Sequence, residues 1–468
     1  MKELTVLLIG MFILLLLSFC LSEYDFFSPS FIACLMFTFS TALAIYATVS
    51  WRVSETVFSG KATFIMLSGM AIFIASEQFV KNVISKRKPK NPKNIEYPKP
   101  LYIYKWKIYV VIIFCIASSL LCTRAYYKMV RLNGYRGDFN FASIAVFYHN
   151  LTFVADKEGG IPRWLRWLQQ GETAVMFICI YLFTNNVIGC REKIRKNFIY
   201  LIPILCWIPN LLMTSSRSVY IQLAGSFVLT GYIVLCRKNG WRRMKKNYQK
   251  ILTYSALAFI LLLVIFYIAV ANGAIGRQTN KTFLDYITMY VGAPIIHFNQ
   301  FMTSPPNDVV YFGQETFSKL NPLLYRLGLV QIQTTNQLEM RVITGIYRGN
   351  VYTFFRRPYH DFGLLGMYVV VMLTAGIFSY VYYRQIYGRQ QSFRNDRILI
   401  LYSYFFYIVY LISILCEICN LVYFGIIYFI VIFYIVYGFM FGQWGVKFEN
   451  GIKFFIRKAP HSISKSFP

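Results

Sequence analysis

Residues 4–22 read LTVLLIGMFILLLLSFCLS, a run that contains no charged side chain. A helix of about twenty residues is long enough to cross the ~30 Å hydrocarbon core of a bilayer. Similar runs recur along the whole chain, and they are continuous rather than alternating, which favours spanning helices over the strands of a barrel. The sequence therefore predicts an all-α polytopic membrane protein. The predicted spans are 4–22, 29–50, 62–80, 107–124, 170–188, 198–214, 219–236, 251–271, 362–383, 398–415 and 421–441.

The composition supports the same fold class. Of the 468 residues, 57% are hydrophobic and 14% are charged, whereas soluble domains carry about 25% charged residues. We expect a single integral membrane domain over residues 1–468, with about 11 (10–12) transmembrane helices. The first run is expected to be a retained helix, because residues 22–25 (SEYD) after it show no small-residue cleavage pattern.

The basic charge of the chain is a signal of topology. The 48 Lys and Arg residues exceed the 19 Asp and Glu residues, which gives a net charge of +29. Much of the excess lies in short segments between predicted helices, and the positive-inside rule places such segments in the cytoplasm. We therefore expect a basic cytoplasmic loop at 81–107 and no nucleic-acid partner. The basic segments are 81–107, 189–197, 237–250, 384–397 and the tail after 443.

Two longer loops are then predicted outside the cytoplasm, at 125–169 and 272–361. The second spans about ninety residues, whereas helix–helix connections are typically about 2–8 residues long, and loops of that size are commonly functional. We expect helices within it at 283–302 and 315–330. Its positive charge has two interpretations, because long loops cross a membrane whatever their charge, while guanidinium groups also bind phosphate bidentately. The second interpretation suits a lipid pyrophosphate.

Other residue patterns name no chemistry. The ten cysteines lie in predicted helices or at their ends, and the four histidines are scattered along the chain. We therefore expect no disulfide framework, no metal and no cofactor. Nucleotide-binding loops, zinc-protease motifs and nucleophile elbows are missing from the sequence. Glu77 and Glu172 lie in apolar runs, and we expect each to pair with a nearby arginine.

The most distinctive stretch closes the large loop. Residues 347–366 read YRGNVYTFFRRPYHDFGLLG. This stretch resembles the G-N-V-Y-T…D-F-G-x-x-G segment of bacterial oligosaccharide repeat-unit polymerases, the Wzy-type O-antigen and capsule polymerases. The layout is similar too, with about a dozen helices, one dominant outer loop in the second half and an arginine-bearing turn at 214–218.

The resemblance implies a membrane glycosyltransferase. Such polymerases act at the outer face of the bacterial cytoplasmic (inner) membrane, where they are multi-pass proteins. They transfer a growing glycan from an undecaprenyl-pyrophosphate carrier to the next lipid-linked repeat unit, without a nucleotide sugar. The implied partners are the polyprenyl-pyrophosphate-linked oligosaccharide, membrane lipid and a chain-length regulator protein. The alternatives are an O-antigen ligase and a lipid-linked oligosaccharide flippase, although flippases usually show two related halves and short loops.

The reaction implied by the resemblance assigns roles to residues as hypotheses. A pyrophosphate leaving group needs positive charge, and the acceptor hydroxyl needs a general base. Asp361 also has a simpler interpretation, as the N-cap of a helix starting at Phe362. Gly363 and Gly366 are expected to allow close helix packing. The predicted substrate-binding residues are Arg217, Arg277, Arg341, Arg348, Arg356, Arg357, Asn350 and Tyr352, and the predicted catalytic residues are Asp361, His360 and Glu339, with Glu315 as a weaker candidate.

Overall fold

The computed structural model gives the chain as a largely helical protein. The structure describes residues 1–53, 58–85, 97–151, 161–214, 218–241, 281–306, 309–331, 338–345, 347–442, 444–448 and 452–456.

The described helices confirm an all-α membrane protein. In these parts of the chain, seven helices are long and apolar enough to cross a membrane. They are α1 (Lys2–Leu21), α2 (Pro29–Ser50), α3 (Gly60–Phe79, extended by a π-helical turn to Ser85), α4 (Lys105–Leu132), α6 (Arg163–Thr184), α9 (Ser218–Lys238) and α13 (Arg356–Val381). The shorter helices are α5 (Phe141–His149), α7 (Ile194–Asn197), α8 (Ile202–Thr214), α10 (Phe283–Val291), α11 (Ala293–Thr303), α12 (Asn321–Arg326), α14 (Phe393–Phe405), α15 (Tyr407–Tyr410) and α16 (Phe424–Met440).

Three predicted spans are shorter than expected. The runs at 198–214 and 421–441 form α8, of 13 residues, and α16, of 17 residues. The run at 398–415 is divided between α14 and the short α15. The predicted span at 251–271 lies outside the described residues, so a total of about eleven spans stays a prediction.

The chain divides into two compact units. The first consists of Met1–Lys88, Lys281–Tyr387 and Phe406–Ile426, and the second of Pro89–Asn280, Gly388–Phe405 and Ile427–Pro468. Small antiparallel hairpins accompany the helices. In the first unit β1 (Arg341–Ile343) pairs with β2 (Tyr347–Gly349), and in the second β3 (Trp444–Phe448) pairs with β4 (Ile452–Ile456).

In the first unit α1 packs on α2 and α3, and α13 packs mainly on α3. Phe355, just before α13, is fully buried and stacks on Phe37 of α2 with 5.3 Å between ring centroids. Its ring also covers Gly69 of α3, where an added Cβ would lie 2.5 Å from Phe355 Cε1. A glycine at this position therefore lets the chain before α13 approach α3 closely.

Glu77 in α3 has no arginine partner among the described residues, so the expected ion pair is wrong. Its carboxylate accepts the backbone N–H of Ser30 at 2.6 Å and the hydroxyl of Tyr383 at 2.8 Å. The first N–H groups of a helix have no partner within the helix. A buried carboxylate from α3 satisfies one of them at the start of α2, which explains why Glu77 is tolerated in an apolar run.

The second unit contains a similar arrangement. The carboxylate of Glu172 accepts hydrogen bonds from Ser118 at 3.0 Å and from Asn210 at 2.8 Å, and it has no salt bridge among the described residues. The expected arginine partner is therefore wrong here too. The buried ion pair of this unit is formed instead by Arg237 and Asp396, 2.7 Å apart.

The large predicted loop is folded where it is described. The helix predicted at 283–302 is present as α10 and α11, which break at Gly292. The helix predicted at 315–330 is wrong in extent, because only a 3₁₀ turn and α12 form there. The hairpin β1–β2 then leads into the 347–366 stretch and α13.

Candidate active site

The centre of the site is the side chain of Arg356, at the first position of α13. It has no exposed surface, and its two terminal nitrogens donate to Glu315 and to Glu339, the latter at 2.5 Å. The rings of Phe301 and Tyr352 lie 4.6 Å and 5.2 Å from the guanidinium carbon. A charge can be buried when carboxylates and aromatic faces replace its water, and both conditions hold here.

A second arginine extends the network into the hairpin. Arg341 of β1 donates through Nε to the hydroxyl of Tyr352 at 3.1 Å and through a terminal nitrogen to the carbonyl of Gln300 at 2.9 Å. It also lies 3.3 Å from Glu339. The Tyr352 hydroxyl donates to the backbone carbonyl of Glu339 at 3.0 Å. Burial raises the pKa of Tyr352, so this hydroxyl stays protonated and remains a donor.

Glu315 joins Arg356 to a histidine. Glu315 Oε1 lies 3.2 Å from His360 Nδ1, and both side chains are mostly buried. Burial alone would raise the pKa of Glu315, but the neighbouring His360 and the charge of Arg356 outweigh it and hold the pKa below its ordinary value. Glu315 therefore places a carboxylate beside an imidazole ring, within reach of Nδ1 but without the alignment of a hydrogen bond. Catalytic hydrogen bonds are often poorly aligned before the substrate binds.

Asp361 does not cap a helix that starts at Phe362. The helical segment that begins at Arg356 is interrupted at Gly363, so Asp361 lies in the last turn before the interruption. Its carboxylate accepts the backbone N–H of Thr316 at 2.6 Å and that of Glu315 at 3.1 Å. The residue thus caps a turn 45 positions earlier in the chain instead of its own helix.

The helix bends immediately after this residue. Gly363 has φ 67° and ψ −166°, a conformation that is essentially restricted to glycine. An added Cβ there would meet no atom within 4 Å. Gly363 therefore serves the backbone at a kink, which differs from the helix-packing role predicted for it.

Two further cations of the site are Arg357 and Lys319. Arg357 is half-buried, and it donates to the backbone carbonyl of Glu315 at 2.8 Å and to Ser318 Oγ at 2.9 Å. Lys319 is exposed; it donates to Asn420, and its ammonium group lies 5.0 Å from the ring centroid of Tyr423. Both cations keep some surface that is accessible to solvent.

Glu417 lies beside the same two cations. Burial raises the pKa of Glu417, and the charges of Lys319 and Arg357 only partly oppose that rise. Its carboxyl accepts a hydrogen bond from Asn420. This part of the site therefore combines two cations with a carboxyl group that holds its negative charge weakly.

Glu315, His360 and Asp361 also offer three atoms that lie within 4.8 Å of one another, a spacing that a metal ion could use. The Asp361 oxygens already accept backbone N–H groups, and Glu315 is bonded to Arg356. A cation here would lie next to a buried guanidinium group, which it would repel. The residues fit a hydrogen-bonded cluster better than a metal site.

The structure brings most of the described predicted residues together. Arg341, Tyr352, Arg356, Arg357, His360, Asp361 and Glu339 all lie in this cluster or its hydrogen-bond network. Asn350 follows β2 and is half-buried. Arg348 lies in β2, and its side chain is outside the described part of the chain. Arg217 and Arg277 also lie outside the described residues.

Two residues of the site were not predicted from the sequence. Lys319 was noticed only as one charge of the loop, and His297 of α11 only as one of the scattered histidines. His297 is fully buried, and its Nδ1 lies 2.9 Å from the carbonyl of Val351 in the 347–366 stretch. An isolated histidine in an apolar segment gives no local signal of such a contact.

Comparisons of this chain with protein-family models, with curated proteins and with solved structures find no match.

Proposed function

We propose that the protein polymerises polyprenyl-pyrophosphate-linked oligosaccharide repeat units into a surface polysaccharide at the outer face of a bacterial inner membrane. Two features support the proposal. The described chain is an all-helical membrane protein, and its 347–366 stretch resembles the signature of that class of polymerases. Within that stretch, Arg356, Arg357 and His360 all lie against Glu315 in one unit.

His360 is the proposed general base. Because its Nδ1 faces the carboxylate of Glu315 at 3.2 Å, the ring proton stays on Nδ1 and Nε2 becomes the proton acceptor. The acceptor sugar hydroxyl attacks the anomeric carbon of the donor glycan, and its proton passes to Nε2. The new C–O bond forms as the bond between the anomeric carbon and the pyrophosphate oxygen breaks. The electron pair leaves with the lipid pyrophosphate.

Arg357 and Lys319 are the proposed ligands of the pyrophosphate. Arg356 is fully buried and its terminal nitrogens donate to carboxylates, so we assign it the role of fixing Glu315 and Glu339 in place. Arg357 is only half-buried and bonds to the carbonyl of Glu315, Lys319 is exposed, and both cations act on Glu417. Fixed positive charge near a leaving group stabilises the negative charge that develops in the transition state.

The observation that carries the proposal is the distance between His360 and Glu315, with Arg357 bonded to the backbone of the same glutamate. It brings the proposed base and a proposed pyrophosphate ligand to one residue. Such a pairing suits glycosyl transfer from a lipid pyrophosphate, which needs both groups and no nucleotide.

The test is a gel of surface glycan from cells that lack the gene, complemented by variants. Deletion should collapse the ladder to a single repeat unit, and the wild-type gene should restore it. His360→Ala and Arg357→Ala should fail to restore it, whereas Arg326→Ala, at an exposed arginine of α12, should restore the full ladder. Free polymer on its lipid carrier would instead indicate a ligase, and repeat units held in the cytoplasm would indicate a flippase.

A further inference from the structure

We propose that His297 is a positioning residue for this reaction, which fixes the 350–352 segment through a hydrogen bond from its Nδ1–H to the carbonyl of Val351. The proposal rests on the function proposed above. It concerns a residue that lies outside the 347–366 stretch, in a different helix of the same unit.

The immediate geometry of His297 is that of a fixed donor. Nδ1 lies 2.9 Å from the Val351 carbonyl oxygen, and a carbonyl can only accept a hydrogen bond, so the proton is on Nδ1. The ring lies nearly parallel to Tyr347, with 5.6 Å between centroids and an angle of 15°. It also contacts Tyr352 at 5.6 Å. Burial lowers the pKa of His297 to about 4, which keeps the ring in this neutral form at pH 7.

The helix that carries His297 is itself anchored to the membrane helices of the first unit. Gly292, just before α11, lies so close to α2 that an added Cβ would be 2.8 Å from the backbone carbon of Leu43. Asn299 accepts the backbone N–H of Ser59, before α3, at 2.7 Å. The position of His297 is therefore tied to the spanning helices, in addition to the contacts that Gln300 of α11 makes with β1.

The bond to Val351 fixes the residue that follows it. Tyr352 is the point at which the side chain of Arg341 and the backbone of Glu339 meet, since its hydroxyl bonds to both. Glu339 in turn bonds to Arg356 at 2.5 Å. A displacement of the 350–352 segment would thus reach Arg356 and, through it, Glu315. This continuous set of contacts ties the proposed base to α2 and α3.

A matched pair of substitutions separates this role from simple packing. The amide nitrogen of Asn lies at the δ position, as Nδ1 of histidine does, whereas that of Gln lies one bond further out. His297→Asn should therefore keep the bond to Val351, and His297→Gln should lose it. Loss of one buried hydrogen bond corresponds to about a tenfold change in a rate or equilibrium.

The experiment uses the full-length protein in nanodiscs with a polyprenyl-pyrophosphate-linked repeat unit. We expect His297→Gln and His297→Leu to lower kcat about tenfold with little change in KM, and His297→Asn to stay close to the wild type. Thr303→Ala, at the exposed end of α11 where the hydroxyl bonds only to its own helix, is the control. Equal loss in the Asn and Gln variants, or full activity in His297→Leu, would overturn the proposal.

Amide hydrogen exchange provides a readout that does not depend on polymerase activity. Exchange in the hairpin β1–β2 should accelerate in His297→Gln but not in His297→Asn or Thr303→Ala. If the wild type makes no polymer, the proposed function fails, but the exchange rates of these variants still test the positioning role of His297. Unchanged exchange in His297→Gln would overturn that role.

Discussion

The carboxylate of Asp361 accepts the backbone N–H of Thr316 at 2.6 Å, across 45 positions of the chain. The preceding residue, His360, faces the side chain of Glu315 at 3.2 Å. Two consecutive residues of α13 thus contact Glu315. His360 faces the glutamate side chain, and Asp361 accepts the glutamate backbone N–H. Holding the backbone of Glu315 and facing its carboxylate positions the glutamate beside the proposed base, and such positioning supports general base catalysis.

This arrangement predicts different outcomes for two substitutions of Asp361. Asp361→Asn keeps an oxygen that can accept from Thr316, so polymer formation should fall only a few-fold. Asp361→Leu removes both acceptors and leaves two N–H groups without a partner, which costs about 2–3 kcal/mol, and polymer should be lost. The measurement is the glycan ladder, with protein in the membrane fraction quantified alongside. Equal activity in both variants would contradict the role of Asp361 as a cap.

Glu315 should be one of the most sensitive residues of the site, because it faces the proposed base. Glu315→Gln removes the charge that orients His360 and pairs with Arg356, and we expect the rate of polymer formation to fall by about 10²–10⁴-fold, the range that general base catalysis supplies. The control is Glu23→Gln, which removes an exposed carboxylate that pairs with Lys81 at 3.1 Å, away from the site, and should have little effect on polymer formation. A rate of Glu315→Gln equal to that of the control would exclude the carboxylate–histidine pair as the base.

The sequence predicted the membrane fold because each spanning run is a local property of about twenty residues. It also selected the 347–366 stretch, since that pattern is local too. The partners within the site were harder to predict, because Arg356 bonds to a glutamate 41 positions earlier and His297 bonds to Val351 54 positions later. No helical or strand periodicity connects such positions. Glu315 was therefore weighed as a minor candidate, although it is the residue on which the site is assembled.

Arg356 should contribute mainly to stability. Arg356→Met leaves the carboxylates of Glu315 and Glu339 without their shared partner, and the free energy of unfolding should fall by about 3 kcal/mol. The triple variant Arg356→Met, Glu315→Gln and Glu339→Gln removes the unpaired charges and should recover part of that loss. Urea unfolding in detergent compares the two. If the triple variant is less stable than the single one, the charges do not dominate the cost.

The stability of the site should depend on pH through His297. Its pKa falls from 6.5 to about 4 on folding, so the unfolded chain binds the proton more readily. This contribution to stability is complete above about pH 6.5 and is lost as the pH falls towards 4, with a total on the order of 3 kcal/mol. Arg341 and Glu339 are the charged groups that act on the ring.

The measurement is the free energy of unfolding between pH 7 and pH 4 for the wild type and His297→Asn. The wild type should lose stability across this interval more steeply than the variant, in which the titrating ring is absent. Glu315 also has a lowered pKa, and its contribution is lost at the acid end in both proteins, so it does not affect the difference. Parallel pH profiles would contradict the buried, neutral state of His297.

The kink after Asp361 should be needed for activity. Gly363 adopts φ 67° and ψ −166°, so Gly363→Ala should cost about 1–3 kcal/mol of backbone strain. An added Cβ at this position meets no atom within 4 Å, so a steric clash does not contribute to that cost. Relief of that strain by straightening α13 would pull His360 and Asp361 away from the Glu315 turn, so the glycan ladder should shorten as well.

The control is Gly376, which lies in the same helix, also with open space around it but without a positive φ. Gly376→Ala should raise stability by up to about 1 kcal/mol and leave the ladder unchanged. If Gly363→Ala were as stable and as active as Gly376→Ala, the bend in α13 would not be what holds the motif against Glu315.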